Sequence, residues 1–138
     1  LTVPQLRDLA DFHDPHLYLP IQGKRYKIAA PPRARALELR ALIVDTALTA
    51  EQERDAYEAL LGPALAEMEA DGLPDPWIAH AGRTALLHFG GNARLGAANW
   101  HLAQLADVVD THALLANAKA DAATAPKSGP PRKKRRRR

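Results

Sequence analysis

Three features of the 138-residue sequence predict a mainly α-helical fold: a small bundle of about five helices with an N-terminal β-hairpin and a disordered basic C-terminal tail. Between residues 14 and 28, apolar and polar side chains alternate about a glycine, as strands require. From Pro31 onward, apolar residues recur at helical spacing. From Ala122 that periodicity stops, and the chain runs into proline and then into lysine and arginine. The reading divides the chain into a helical domain over 1–121, with the hairpin at about 17–28, and a tail over 122–138.

The elements follow in order. Thr2 is placed to cap a short helix over Val3–Asp11, with Pro4 in its first turn. In the hairpin, Leu17, Leu19 and Ile21 alternate with Tyr18 and Pro20, and Tyr26 and Ile28 alternate with Arg25 and Lys27. Gln22-Gly23-Lys24 supplies the turn, because Gly23 tolerates positive φ. Pro20 cannot donate to a strand ladder, which assigns the first strand to an edge. Since a lone hairpin is marginal in water, it must lie on a helical body or on a partner.

Pro31-Pro32 leads into a helix over Arg33–Ala47, with Leu37, Ala41 and Val44 on one face and Leu39, Leu42 and Ile43 widening it. Thr49 and Gln52 fit a capping box for the second helix, which carries Ala56, Tyr57, Leu60 and Leu61 and stops at Gly62-Pro63. A third helix, Pro63–Ala70, holds Leu65 and Met68 before Gly72. Asp75 caps and Pro76 opens a fourth helix through Phe89, with Trp77, Ile78, Ala81, Ala85, Leu86 and Phe89 as its core side. Asn92 caps a last helix carrying Leu95, Trp100, Leu102, Leu105, Val108, Val109, Leu114 and Leu115, whose part beyond Asp110 turns Ala-rich and extends past the globule.

Composition narrows the class. Aromatic residues are only 5% of the chain, so the core must be built largely from alanine and leucine, which suits closely packed helices. The absence of cysteine excludes disulfides and thiolate metal sites. No apolar run is long enough to span a bilayer, and Arg7, Asp8 and Asp11 interrupt any secretory core near the start. The expectation is a soluble intracellular protein without membrane contact. The net charge of +3 conceals two parts: eight of the 19 basic residues fall at or after Lys127, leaving 11 against all 16 acidic ones. A mildly acidic body therefore carries a basic appendage.

Candidate chemistry is sparse. Asp11, His13, Asp14 and His16 offer two carboxylates and two imidazoles, a donor set for a divalent metal. Their spacing matches no metal signature, and a solvated turn is the preferred reading. His80, Thr84 and His88 share one helix face, read as a polar contact between helices in preference to a proton-shuttle pair. Gly90-Gly91-Asn92 lacks the third glycine and preceding strand of a dinucleotide fingerprint. No nucleophile elbow, phosphate loop or metalloprotease helix occurs. No catalytic residue, metal or cofactor is expected. The tail cations Arg132, Lys133, Lys134, Arg135, Arg136, Arg137 and Arg138 form a possible polyanion-binding run with salt-dependent, sequence-blind affinity, though no aromatic is interleaved for base stacking.

Taken in order, several blocks resemble the tail assembly chaperones of long-tailed, siphovirus-type phages and prophages of actinobacteria. They are Leu17-Tyr-Leu-Pro-Ile-Gln-Gly-Lys-Arg-Tyr-Lys-Ile28; Pro31-Pro32 leading into Leu37-Glu-Leu-Arg-Ala-Leu42; Leu60-Leu-Gly-Pro63; Glu67-Met-Glu-Ala-Asp-Gly-Leu-Pro74; His80-Ala-Gly-Arg-Thr-Ala-Leu-Leu-His-Phe-Gly90; and Trp100. The resemblance covers about residues 10–106. It implies a non-enzymatic assembly role in the cytoplasm of the host bacterium: binding the tape measure protein, helping tail tube subunits gather, and absence from the mature virion. Such chaperones also commonly have a longer form made by ribosomal frameshifting, and Arg132-Lys133-Lys134 is compatible with a slippery run of codons. The oligo-arginine end departs from the family's pattern.

The expected client surface comprises Tyr18, Lys24, Arg25 and Tyr26 of the hairpin and Leu114 and Leu115 of the last helix. For the tyrosines, packing on the protein's own helices is an equal alternative. Self-association is compatible with this role. The rival reading is a small nucleic-acid-associated protein working through its Lys/Arg-rich tail.

Overall fold

A computed structural model of the chain describes the backbone of residues 3–108 and the side chains of 3–104. The described residues form five α-helices and one antiparallel hairpin: β1 Leu17–Ile21, β2 Lys24–Ile28, α1 Arg33–Ile43, α2 Ala50–Leu61, α3 Pro63–Ala70, α4 Asp75–Gly90 and α5 Ala93–Val108. Contacts divide the chain into two units, Leu1–His101 and Leu102–Arg138. Of the second, residues 102–108 are described, as helix. The expected boundary at 121/122 lies outside the described residues.

The hairpin closes on two residues, Gln22 and Gly23, both at positive φ (52° and 79°). That is the pattern of a type I′ turn, whose twist matches the strands it joins. Lys24 therefore belongs to β2 and not to the turn. The register pairs Leu17 with Ile28, Leu19 with Tyr26 and Ile21 with Lys24. Alternation then puts Leu19, Ile21, Tyr26 and Ile28 on one buried face. Ile28 and Tyr26 are 0% and 2% exposed, so this face is part of the core.

The helix expected over Val3–Asp11 does not form. Only Leu9–Asp11 makes a 3₁₀ turn, capped by Asp8, whose carboxylate accepts from the Ala10 N–H at 2.9 Å. So short a helix is marginal in water unless a face of it is buried, and Val3, Leu6, Leu9 and Phe12 are all exposed here.

Helix α1 ends at Ile43, four residues before the expected Ala47, and its buried face differs from the expected one. Leu39 is fully buried, whereas Leu37 and Val44 are 44% and 72% exposed. The cause lies in α4: a Cβ on Gly90 would sit 3.0 Å from the Leu39 carbonyl oxygen. Glycine there lets the backbones of α1 and α4 approach closely at Leu39, which favours that face over the equally apolar one through Leu37.

The caps explain the remaining boundaries. Thr49 and Gln52 form the capping box, with Gln52 N–H donating to Thr49 Oγ1 at 3.1 Å and Thr49 N–H to Gln52 Oε1 at 3.0 Å. Helix α3 ends in a Schellman motif: Leu73 N–H reaches the Met68 carbonyl, Gly72 N–H reaches that of Glu69, and Gly72 takes φ 73°. At α4 the cap position is Pro74, and Asp75 is instead a first-turn residue. Its charge there complements the N-terminal end of the helix dipole. Asn92 caps α5, accepting from Leu95 N–H at 2.8 Å.

Helix α4 is the centre of the bundle, packing against α1 and α2. A Cβ on Gly82 would fall 2.2 Å from Tyr57 Cδ1, so glycine makes room for the Tyr57 ring of α2. Ile78, Ala81, Ala85 and Leu86 are buried as expected, but Trp77 is 43% exposed and Phe89 only half-buried. The polar face of α4 meets α5: His80 Nε2 lies 3.0 Å from the Trp100 carbonyl oxygen, Asn99 Nδ2 donates to Thr84 Oγ1 at 2.9 Å, and a Cβ on Gly96 would lie 2.8 Å from His88 Cβ. The shared face of His80, Thr84 and His88 is thus a helix contact.

Candidate functional site

The hairpin presents two faces with different chemistry. On its inner side, the first residue after the turn reaches α3. Lys24 Nζ lies 2.7 Å from Asp71 Oδ2 and 3.0 Å from Glu67 Oε2, and Tyr26 donates its hydroxyl to the same Asp71 oxygen at 2.6 Å. The Lys24 ammonium also lies 5.0 Å from the Tyr26 ring centroid. Asp71 is the residue that ends α3, so these contacts tie the hairpin to a helix terminus. Hydrogen bonds from Lys24, then Tyr26, hold the Asp71 carboxyl below its ordinary range. Asp71 in turn raises both partners, acting with Glu67 on Lys24.

The outer face carries Tyr18, Arg25 and Lys27. The Arg25 guanidinium lies over the Tyr18 ring at 4.6 Å, a cation–π geometry. Lys27 pairs with Tyr18 across the strands. The Tyr18 hydroxyl donates to Asp14 Oδ2, and Asp14 Oδ1 accepts from the His16 N–H. These two bonds, the hydroxyl first, hold the Asp14 carboxyl below its ordinary range, and the bond to Asp14, then desolvation, raises the Tyr18 phenol. His16 Nδ1 accepts from Ala30 N–H at 2.9 Å, which fixes the turn before β1 to the segment just after β2. Among the described residues, no group of three or more His, Cys, Asp or Glu is placed to hold a metal ion.

The structure thus separates the expected client residues. Of the two readings for Tyr26, packing is the one observed: it is 2% exposed and its ring is core, because the two-residue turn sets it opposite Leu19 on the inner face. Lys24 is committed to Asp71 and Glu67. Tyr18 and Arg25 remain together on the outer face, half-buried and exposed respectively. Leu114 and Leu115, and the cations Arg132, Lys133, Lys134, Arg135, Arg136, Arg137 and Arg138, lie outside the described residues.

Two features escaped the sequence reading. Val3, Leu6, Leu9 and Phe12, spaced by three, are 85%, 90%, 62% and 61% exposed. The sequence assigns the first three to a short helix over Val3–Asp11 and marks no exposed surface there. The second is an open groove of about 280 Å³ between β1 and α5, with Thr84 and His88 of α4 also lining it. Burial pushes the His88 imidazole below its ordinary range.

What fold and surface together define is a small helical domain with a docked hairpin and exposed apolar side chains. The family model of a domain of unknown function, DUF7426, matches residues 7–137, and the chain belongs to that family. No curated protein and no solved structure matches it.

Proposed function

We propose that this protein is a non-enzymatic tail assembly chaperone of a long-tailed phage or prophage of actinobacteria, acting in the host cytoplasm on the tape measure protein and assisting tail tube assembly. The observation that carries the reading is the exposed apolar set Val3, Leu6, Leu9 and Phe12. Large apolar side chains grouped in one segment and left in water mark a surface that another molecule covers. A tape measure protein is a long helical chain with apolar stripes of its own, and many small domains covering them one by one bind through multivalency while each copy stays releasable. The blocks carrying the resemblance support the same reading, since they follow one another through the hairpin, the α2–α3 junction, the α3 cap and α4.

The outer face of the hairpin, with Tyr18 and Arg25, adds to the client contact made by that apolar segment. The protein leaves the assembly before the virion is complete, and a frameshifted longer product is made near Arg132-Lys133-Lys134. The test is co-purification: the tagged protein retains the long helical product of the neighbouring gene, and failure to retain it opposes the reading.

A second reading has its own support in the run of seven cations over 132–138, whose affinity for nucleic acid would fall steeply with salt. Deleting those residues separates the two: a chaperone keeps its client, whereas a nucleic-acid binder loses DNA and RNA affinity.

A further inference from the structure

The free edge of β1 faces a groove whose other wall is a helix lined with small residues. Ladder bonds in a two-residue hairpin begin with the pair that flanks the turn and then fall on every second pair. The register therefore places them at Ile21/Lys24, Leu19/Tyr26 and Leu17/Ile28. The main-chain groups of Tyr18 and Pro20 point away from β2. Pro20, which has no N–H, stands where a ladder donor is not needed. The outer edge of β1 thus offers the N–H and carbonyl of Tyr18 and the carbonyl of Pro20.

Residues 17–20 form one wall of the groove; Ala93, Gly96 and Ala97 of α5 form the opposite wall, and Trp100 also lines it. The small side chains of α5 leave the space open. No Lys, Arg, Asp or Glu lines it; its histidines are His88 and His101, and burial pushes the His88 imidazole toward the neutral form.

We propose that this groove binds an extended, uncharged polypeptide segment of a partner, which adds as a third strand to β1 and places alternate small apolar side chains against Ala93, Gly96 and Ala97. The main-chain groups of Tyr18 and Pro20 supply the bonds, and the apolar walls select the side chains, the division of labour in strand addition. The protein's own N-terminal segment, in this copy or another, is a poor occupant: its apolar residues recur every third position, and strand addition along Val3–Asp8 would direct Pro4, Leu6 and Asp8 to one side. The inference goes beyond the chaperone reading and does not depend on it.

The test uses the full chain, ¹⁵N-labelled, and an acetylated and amidated octapeptide in which valine alternates with threonine, serine or glutamine. The expected result is saturable binding, with shifts centred on Tyr18, Leu19, Gly96 and Trp100 and slowed hydrogen exchange at the Tyr18 amide. N-methylating alternate peptide amides should weaken binding about tenfold or more, because main-chain bonds are lost. Ala97→Phe, on an exposed wall position, should do the same while leaving the circular dichroism spectrum unchanged. The proposal is overturned if no saturable shift appears at millimolar peptide, if N-methylation changes nothing, or if the Tyr18 amide is already protected in the free protein.

Discussion

Tyr26 and Asp71, 45 residues apart in sequence, share a hydrogen bond of 2.6 Å that joins the middle of β2 to the end of α3. With Lys24 on the same carboxylate oxygen, this is how a hairpin too small to stand alone acquires a helical support. It also explains why Lys24 and Tyr26, two of the four hairpin residues that looked available to a partner, are not.

The stability of this junction depends on pH at both ends. Asp71 has a folded-state pKa below its unfolded value, so its contribution is present above about pH 4 and is lost as pH falls through the lower folded value. Tyr26 and Lys24 are raised, so theirs is present below the unfolded values and is lost as pH rises through the folded ones. Thermal melts of wild type and Asp71→Asn should differ most near neutrality and converge in acid. A constant gap down to pH 2 would contradict this.

In α1, Leu39→Ala should cost about 2–5 kcal/mol, the range for a truncated buried leucine, whereas Leu37→Ala should fall within about 0.5 kcal/mol of wild type. Urea unfolding of the two variants reads the face directly, and the reverse order would mean that α1 is turned the other way.

At the α2–α4 crossing, Gly82→Ala places a methyl group against the Tyr57 ring. Overpacking of this kind costs about 1–3 kcal/mol. The double variant Gly82→Ala, Tyr57→Leu should lose less than the two single costs combined, because the contact is shared. Strict additivity in a melting experiment would deny it.

Charge reversal separates binding from folding on the hairpin. Arg25→Glu removes an outer-face cation that has no ion pair among the described residues, so the melting temperature should hold while client co-purification falls. Lys24→Glu should lower the melting temperature as well, since it sets a carboxylate against Asp71 and Glu67. Equal melting temperatures for the two variants would refute this distinction.

Much of this fold was legible because its signals are local. Thr49 with Gln52, Gly72 and Asn92 satisfy helix-end groups within a few residues of themselves, and the hairpin's alternation fixes which side chains share a face. The contact face of His80, Thr84 and His88 followed from helical spacing alone. What was not legible depends on tertiary neighbours. Leu37 and Leu39 are equally apolar, and the close approach at Gly90, some fifty residues on, favours Leu39. Val3–Asp11 has helical spacing but no face to bury it. Tyr26 could have been assigned inward, since a turn of two residues rather than three puts it opposite Leu19.

The most direct test of the account is the solubility of the client. The tape measure protein should be expressed with and without this chain, and the soluble fraction measured after centrifugation. The account predicts a client that is largely insoluble alone and is carried into the soluble fraction, bound to this protein, when both are made. A client whose solubility is the same in both cases, with none of this protein attached, would contradict it.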